Sequence, residues 1–365
     1  MPFENGRVGF RIYSLPRPLP EDYIERFARH AAPPIASCAG GSTSGWVTGR
    51  HLLDRDIREE TAHRAGYLNM SLLQLEKKIP PSLLKAECQM EELAQMEAEG
   101  RQFLNRKERS DIKEAVRDRL MPEMPPQLKD VPFVYAPGGH TLYASALSNT
   151  KSDSFCARFL NTMGYNISPC APDLLPEMLG HPDPRGWRPA SFSPRVPDEA
   201  VELHPGREFL TWLLFSFDAR GGQIETEKAG RIALLMEGPL SFYHEGGGAY
   251  EIILKEGEPI GSPEAGTCLM SGKQLRKAKL TLAREGEPWE FRIDGDEFVF
   301  RSVKLPEIDR DLDSASRFAE RIIRIDQLRD IFFALYDQFM DMRCTPEKWR
   351  KEKRAMQEWV AKRAP

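Results

Sequence analysis

Apolar and polar positions alternate along RVGFRIYSL (7–15) well enough to predict a strand. The spacing then changes. In PEDYIERFARHA (20–31), Tyr23, Ile24, Phe27 and Ala31 fall on one side of an amphipathic helix. The Gly/Ser-rich CAGGSTSGWV (38–47) reads as a loop into a second short strand, and GYLNMSLLQLEKKIP (66–80) as a third strand, stopped by Pro80 and Pro81. PSLLKAECQMEELAQMEAEG (81–100) has proline at its start and Gly100 at its end, where helix boundaries favour them. A further helix, SDIKEAVRDRLMP (110–122), opens on Ser110 as N-cap, with Asp111 and Glu114 in its first turn. The two predict an αα-hairpin. The stretch NRKERSDIKEAVRDRLMPEMPPQLKD (105–130) is so charged that it can bury little of itself, and it stops at a proline cluster.

VPFVYAPGGHTLYASAL (131–147) places two β-rich runs around Gly138-Gly139, a hairpin pattern. SDSFCARFLNTMG (152–164) reads as a helix ending at Gly164, and YNISPCAPDLLP (165–176) as an exit strand or loop. From 181 to 206 prolines accumulate (HPDPRGWRPASFSPRVP), as in a linker or an ordered irregular loop. GREFLTWLLFSFD (206–218) could be a buried helix or a buried strand, and periodicity does not settle which. PLSFYHEGGGAYEIILKEG (239–257) is a hairpin around three glycines. KLTLAREGEPWEFRIDGDEFVFRSVKL (279–305) reads as a three-stranded meander with turns at Glu285-Gly286 and Asp294-Gly295. The remainder, SASRFAERIIRIDQLRDIFFALYDQFMDM (314–342) and TPEKWRKEKRAMQEWVAKR (345–363), is helical.

These elements describe an α+β protein, antiparallel sheets with helices and an inserted helical-hairpin arm. Residues 1–75 and 131–180 are read as a central α+β domain, 76–130 as the protruding arm, 181–206 as a connection, 207–343 as a second α+β domain forming a base, and 344–365 as a basic C-terminal helix. With 365 residues, 41% hydrophobic and 29% charged, the chain can bury two or three ordinary cores. The net charge of -4 gives no global positive field, so any anionic partner must be met by a local basic patch. Across 76–119 acidic and basic residues are about equal, and the arm carries no net field.

The six cysteines (Cys38, Cys88, Cys156, Cys170, Cys268, Cys344) include no CxxC pair, the usage of reduced thiols and not of a zinc ribbon or disulfide framework. No apolar run approaches a membrane span, and MPFENGRVGF lacks a signal-peptide pattern, which points to a cytoplasmic protein.

Candidate chemistry is sparse. The seven histidines (30, 51, 63, 140, 181, 204, 244) fall into no metal spacing, and His140 and His204 sit beside turns, where lone histidines are mostly surface residues. DRDLDSASRFAE (309–320) sets Asp309, Asp311, Asp313 and Glu320 at calcium-loop positions. Ser314 occupies the position where glycine makes the sharp turn, however, and Arg317 places a cation at the ninth, so Asp313 or Ser314 as a helix cap is the plainer reading. Asp294 with Asp296 in RIDGDEF is the carboxylate pair a two-metal nuclease would need, against the plainer reading of a tight Asp-Gly turn. No catalytic residue, metal or cofactor is expected.

SGKQLRKAKLTL (271–282) is the densest basic stretch of the second half. As a helix it would set Lys273 and Lys277 one turn apart on one face, able to meet successive phosphates; as a solvated end or strand edge it would mean little. In the C-terminal segment, Thr345 is a candidate N-cap, and the Trp349, Met356 and Val360 stripe favours packing on the domain over lying on DNA.

The order of segments resembles the RdgC family of bacterial recombination-associated proteins. The resemblance lies in LLQLEKKIPPSLLKAECQMEELAQMEAEGRQFLNRKERSDIKEAVRDRLMP (72–122), with IYSL and GWV upstream and VYAPGGHTLYASALSNTKSDSFCARFLNTMG downstream. SGKQLRKAKLTL, WEFRIDGDEFVFRSVKL and SRFAERIIRIDQLRDIFFAL extend it, so that it covers most of residues 7 to 340.

The resemblance implies a ring-shaped homodimer, nucleoid-associated, that encloses double-stranded DNA without sequence preference and restrains RecA-driven strand exchange. The arm's tip would then reach the partner subunit. The family's glycine-lysine step corresponds to Gly272-Lys273 and its next lysine to Lys277, while a family basic stretch falls near Lys255, in the more acidic KEGEP. With Arg276 and Lys279 from the same run, the expected DNA contacts are Lys255, Lys273, Arg276, Lys277 and Lys279. The family has an aromatic residue in the arm contact just after its LLP; Pro125 stands near that position here. The rival readings are a metal-dependent recombination nuclease using Asp294/Asp296 or Asp309/Asp311, and a protein-binding scaffold.

Overall fold

The computed structural model describes residues 2–35, 42–309 and 311–363. It begins with β1 (Val8–Ser14), α1 (Tyr23–Arg29), β2 (Ser42–Thr48), the single turn α2 (Glu59–Ala62), β3 (His63–Arg64) and β4 (Tyr67–Glu76). Helices α3 (Pro81–Ala98) and α4 (Arg106–Leu120) come next, then β5 (Gln127–Tyr135), β6 (Thr141–Ala144), α5 (Asn149–Met163), β7 (Ser168–Pro169) and α6 (Leu175–Met178). The second half holds α7 (Pro205–Arg220), β8 (Gln223–Thr226), β9 (Gly230–Tyr243), β10 (Glu251–Leu254) and α8 (Pro263–Met270). The meander β11 (Gln274–Arg284), β12 (Glu287–Asp294) and β13 (Val299–Lys304) leads to α9 (Ser314–Cys344) and α10 (Pro346–Lys362).

The described strands join in one antiparallel sheet of thirteen, ordered β10-β9-β11-β12-β13-β1-β6-β5-β4-β2, with β3, β7 and β8 attached to β4, β1 and β9. Strand β1 ties its two parts together. Val8 and Phe10 pair with Val303 and Phe300 of β13, while Arg11 to Ser14 pair with Ala144 to Thr141 of β6. The fold is therefore α+β, as the alternation and helix periods predict. One apolar cluster gathers Tyr13, Phe27, Trp46, Phe133, Phe155 and Phe159; the other gathers Phe10, Phe209, Phe291, Phe332, Tyr336 and Phe339.

The ambiguous apolar run forms helix α7, with every residue from Pro205 to Ser216 buried. A helix buried on every side has to be covered all round, and α7 packs against β9 and β11 on one side and α9 and α10 on the other, with its buried Arg207 and Glu208 paired to Asp296 and Arg343. Pro205 stands at its first turn, and Gly221 ends it at φ 74°. The apolar face of α10 is covered too: Met356, Trp359 and Val360 are buried in the same cluster. Among the described residues no helix is long and apolar enough to cross a membrane.

The proline-rich stretch after α6 is an ordered irregular segment. Ala190 to Ser193 are buried, and Ser193 Oγ donates to the Met270 carbonyl at 2.6 Å. Arg343 of α9 lies between the rings of Trp187 and Trp349 and pairs at 2.7 Å with Glu208, which is fully buried. Burial raises the Glu208 carboxyl above its ordinary pKa, against the pull of Arg343.

Two expectations need correction. Helix α4 does not start at Ser110. Asn105 is its N-cap, accepting from the Glu108 N–H at 2.9 Å while the Glu108 carboxylate accepts from the Asn105 N–H at 2.8 Å. That reciprocal pair satisfies two free amides at once and outcompetes a lone serine five residues on. The basic run 271–282 is not a helix: from Gln274 it is strand β11, pairing with β9 and β12 along its length. Leu275 and, beyond a register shift, the alternating Ala278, Leu280 and Leu282 are buried, so a covered sheet face decides the conformation. Of the segment read as a Gly/Ser loop, Ser42 to Val47 belong to β2, and Cys38 to Gly41 lie outside the described residues.

Candidate nucleic-acid interface

Strands β9 to β13 turn one face towards α7 and α9. Leu280, Leu282, Phe291, Ile293 and Val303 fill that side, so the residues between them face away. On this outer face a shallow groove of 460 Å³ is lined by Ile253, Lys255, Lys277, Arg292, Asp294 and Arg301, among others.

The five expected cations occupy different environments. Lys273 follows Gly272, whose φ is +85°, and its ammonium is turned inward, donating to the Ala249 carbonyl at 2.7 Å with the residue 6% exposed. It presents no free charge to a phosphate in this structure. Arg276 pairs with Asp296 at 2.8 Å and lies over the Tyr243 ring. Lys279 reaches Glu237 at 2.7 Å and Glu290 at 3.6 Å, and the Glu237 hydrogen bond raises its pKa. Lys277 is half-exposed, 3.5 Å from Asp294. Lys255 is exposed at the end of β10.

Sequence reasoning missed Arg292 and Arg301. Both are exposed and line the groove. They are direct cross-strand partners, and Arg292 stands opposite Lys279 on its other side. Like charges directly opposite each other destabilise a sheet. Lys279 has two glutamates to offset its charge, and Arg301 donates to the Leu147 carbonyl at 2.6 Å, but no carboxylate is paired with Arg292 or Arg301 among the described residues. A signal was present: once the meander is threaded as strands, Arg292 falls between the buried Phe291 and Ile293 of β12, and Arg301 follows the buried Phe300 of β13.

The carboxylates proposed as a nuclease pair part company. Asp294 lines the groove, whereas Asp296 lines a separate cleft with His204, Gly206 and Pro172. Asp296 is held by Arg207 at 2.6 and 2.9 Å and by Arg276. Burial alone would raise its pKa, but the Arg207 bonds and the Arg207 and Arg276 charges outweigh it and hold the carboxyl below its ordinary value. His204 is shifted down by burial and by Arg207. Helix α7 can approach the 294–296 turn only because Gly206 has no side chain: a Cβ there would lie 1.9 Å from the Gly295 carbonyl oxygen.

Of the calcium-loop residues, Asp313 caps α9, accepting from the Ala315 and Ser316 amides at 2.8 and 3.0 Å; Arg310 lies outside the described residues. Among the described residues no three His, Cys, Asp or Glu side chains gather as metal ligands. Cys88, Cys156, Cys170, Cys268 and Cys344 are free thiols, and Cys38 lies outside the described residues.

The arm continues from the β4–β5 ladder, which ends at the Glu76–Gln127 pair. No residue of α3 is buried, and α4 buries only Val116 and Leu120. Ion pairs hold the two helices together, Arg119 reaching Glu87 at 2.9 Å and Glu91 at 3.0 Å. The turn between the helices forms the tip, where Phe103 is 76% exposed. Met90 and Leu93 on α3 are also exposed. Pro125 is thus at the root and not at the tip: it lies beside the start of β5, near Pro122, whose carbonyl accepts from the Lys77 ammonium at 2.7 Å.

Among known families, residues 9–177 match the one described as "Putative exonuclease, RdgC". No curated protein matches the chain. The matched segment runs from β1 into α6 and includes the arm; the groove residues lie beyond it.

Proposed function

Because residues 9–177 match the RdgC family, we propose that the chain binds double-stranded DNA without sequence preference as a homodimer and restrains RecA-mediated strand exchange at the nucleoid. One observation carries the DNA reading. Arg292 and Arg301 face each other, uncompensated, on an exposed sheet face beside Lys255 and Lys277. A stability cost of that kind is offset when a phosphate backbone lies between the cations. Flat cationic faces contact phosphates and not base edges, hence the absence of sequence preference. Within the expected set, Lys277 and Lys255 join Arg292 and Arg301 at the phosphates, Arg276 and Lys279 add screened charge, and Lys273 holds the β9–β10 loop from beneath.

Phosphate binding needs no metal. The protein should retard duplexes of unrelated sequence equally in EDTA and leave them intact, with affinity falling steeply as salt rises. The family's description makes a nuclease the rival. Magnesium-dependent degradation of end-labelled duplex that Asp294→Asn with Asp296→Asn abolishes would decide for that rival.

The arm is the proposed clasp between subunits. Its balanced charges suit contact with protein, and Phe103, Met90 and Leu93 offer apolar surface. Deleting about 82–125 and joining the ends through glycines should leave a folded protein, since the segment adds only Val116, Leu120 and Leu104 to the buried set. The truncated protein should bind linear duplex but slip from closed circles in high salt. Equal retention of circles by both forms would show that the arm is no clasp.

A further inference from the structure

Strand β10 ends the sheet, and its outer edge has no strand partner among the described residues. Tyr250 accepts from the His244 N–H at 3.1 Å, and Ile252 and Leu254 lie opposite Phe242 and Leu240 in the same phase. Alternation therefore turns the N–H and C=O of Glu251 and Ile253 towards the open edge. A row of unpaired amides of this kind is a template for another strand, and proteins usually blunt it with an inward charge, a proline or a cover. Here the centre of the edge is instead Ile253, 49% exposed, with Tyr250 54% exposed beside it.

The sequence of the edge is EIILK (251–255), which is complementary to itself in antiparallel pairing. With a two-fold axis at Ile253, Ile253 meets its own copy, Glu251 meets Lys255 and Lys255 meets Glu251. All three side chains line the groove and so share one sheet face. We propose that a second copy of this chain docks here, β10 against β10, continuing the sheet across the two-fold axis. Opposite charges directly across an antiparallel pair stabilise it, and the backbone bonds of Ile253 close on themselves. The two grooves then lie side by side on one surface, and each Glu251, which accepts from Ser241 Oγ at 2.6 Å and lies 3.8 Å from Arg276, gains the partner's lysine as a further counter-charge. This contact deepens the homodimer reading and rests on it for the identity of the partner.

The test uses the full chain. Directly opposed residues in such a ladder have Cα atoms about 5.5 Å apart, within disulfide reach. Ile253→Cys under mild oxidant should give a covalent dimer that the parent chain, with its own cysteines, does not give. Glu251→Lys or Lys255→Glu alone should weaken self-association on the order of tenfold by sedimentation, and the double exchange should restore it. A chain that is dimeric by light scattering, yet whose Ile253→Cys form stays uncrosslinked and whose charge reversals change nothing, overturns the β10 contact and leaves the homodimer standing. A monomeric chain overturns both.

Discussion

Replacing Asp296 with asparagine is expected to cost about 2–3 kcal/mol of folding stability, less than the roughly 3–5 kcal/mol for breaking a fully buried pair, because its side chain keeps 17% exposure. The carboxylate offsets two guanidinium groups, and Arg207, 7% exposed, would be left with no equal counter-charge. Asp294→Asn should cost about 1 kcal/mol or less, since the Lys277 partner is solvated. Urea unfolding of the two single variants checks the contrast; equal costs would refute the asymmetry. The pH dependence has a definite sign. The folded pKa of Asp296 is depressed, so its contribution is complete above about pH 4, the ordinary carboxylate value, and is lost as pH falls through the folded value. The Asp296→Asn variant should therefore lose less stability on acidification than the parent.

The second large effect concerns affinity. Arg292→Ala with Arg301→Ala should weaken duplex binding on the order of tenfold or more at moderate salt and flatten the slope of log K against log salt by about 1.8, two phosphate contacts at roughly 0.9 each. The loss should be similar on unrelated sequences. Because Arg292 stands between two cations, Arg292→Ala alone should leave thermal stability unchanged or slightly higher. Lys273→Ala should do the reverse, leaving the salt slope intact while lowering stability, since its ammonium serves the Ala249 carbonyl. A salt slope that survives the double arginine change would remove the groove from the interface.

Together these experiments separate the roles that one basic stretch suggests. Lysines four residues apart look equivalent on paper, yet Lys273 is buried beneath a loop and Lys277 faces the groove. The difference arises where the chain leaves α8 at Gly272 and enters β11: residues before the first ladder pairs follow the turn, and those after it alternate between faces.

Local pattern alone determined much of this protein. Period-two alternation specified β1 and the 279–305 meander, and the glycine pairs specified the hairpin turns, because these signals act within a few residues. Proline at the start and glycine at the end bounded α3, for the same reason. The family resemblance, too, was legible in the order of segments. Tertiary structure decided the rest. It made 206–218 a helix, because only the space between the sheet and α9 could cover every side of it. It made the basic run a strand, because β9 and β12 offered ladder partners on both edges. It set Arg292 against Arg301, parted Asp294 from Asp296, and placed Pro125 at the arm's root with Phe103 at its tip. Each of these depends on strand register or on helix ends brought together across long stretches of chain, and residue spacing along a sequence carries no record of which distant neighbour will stand opposite.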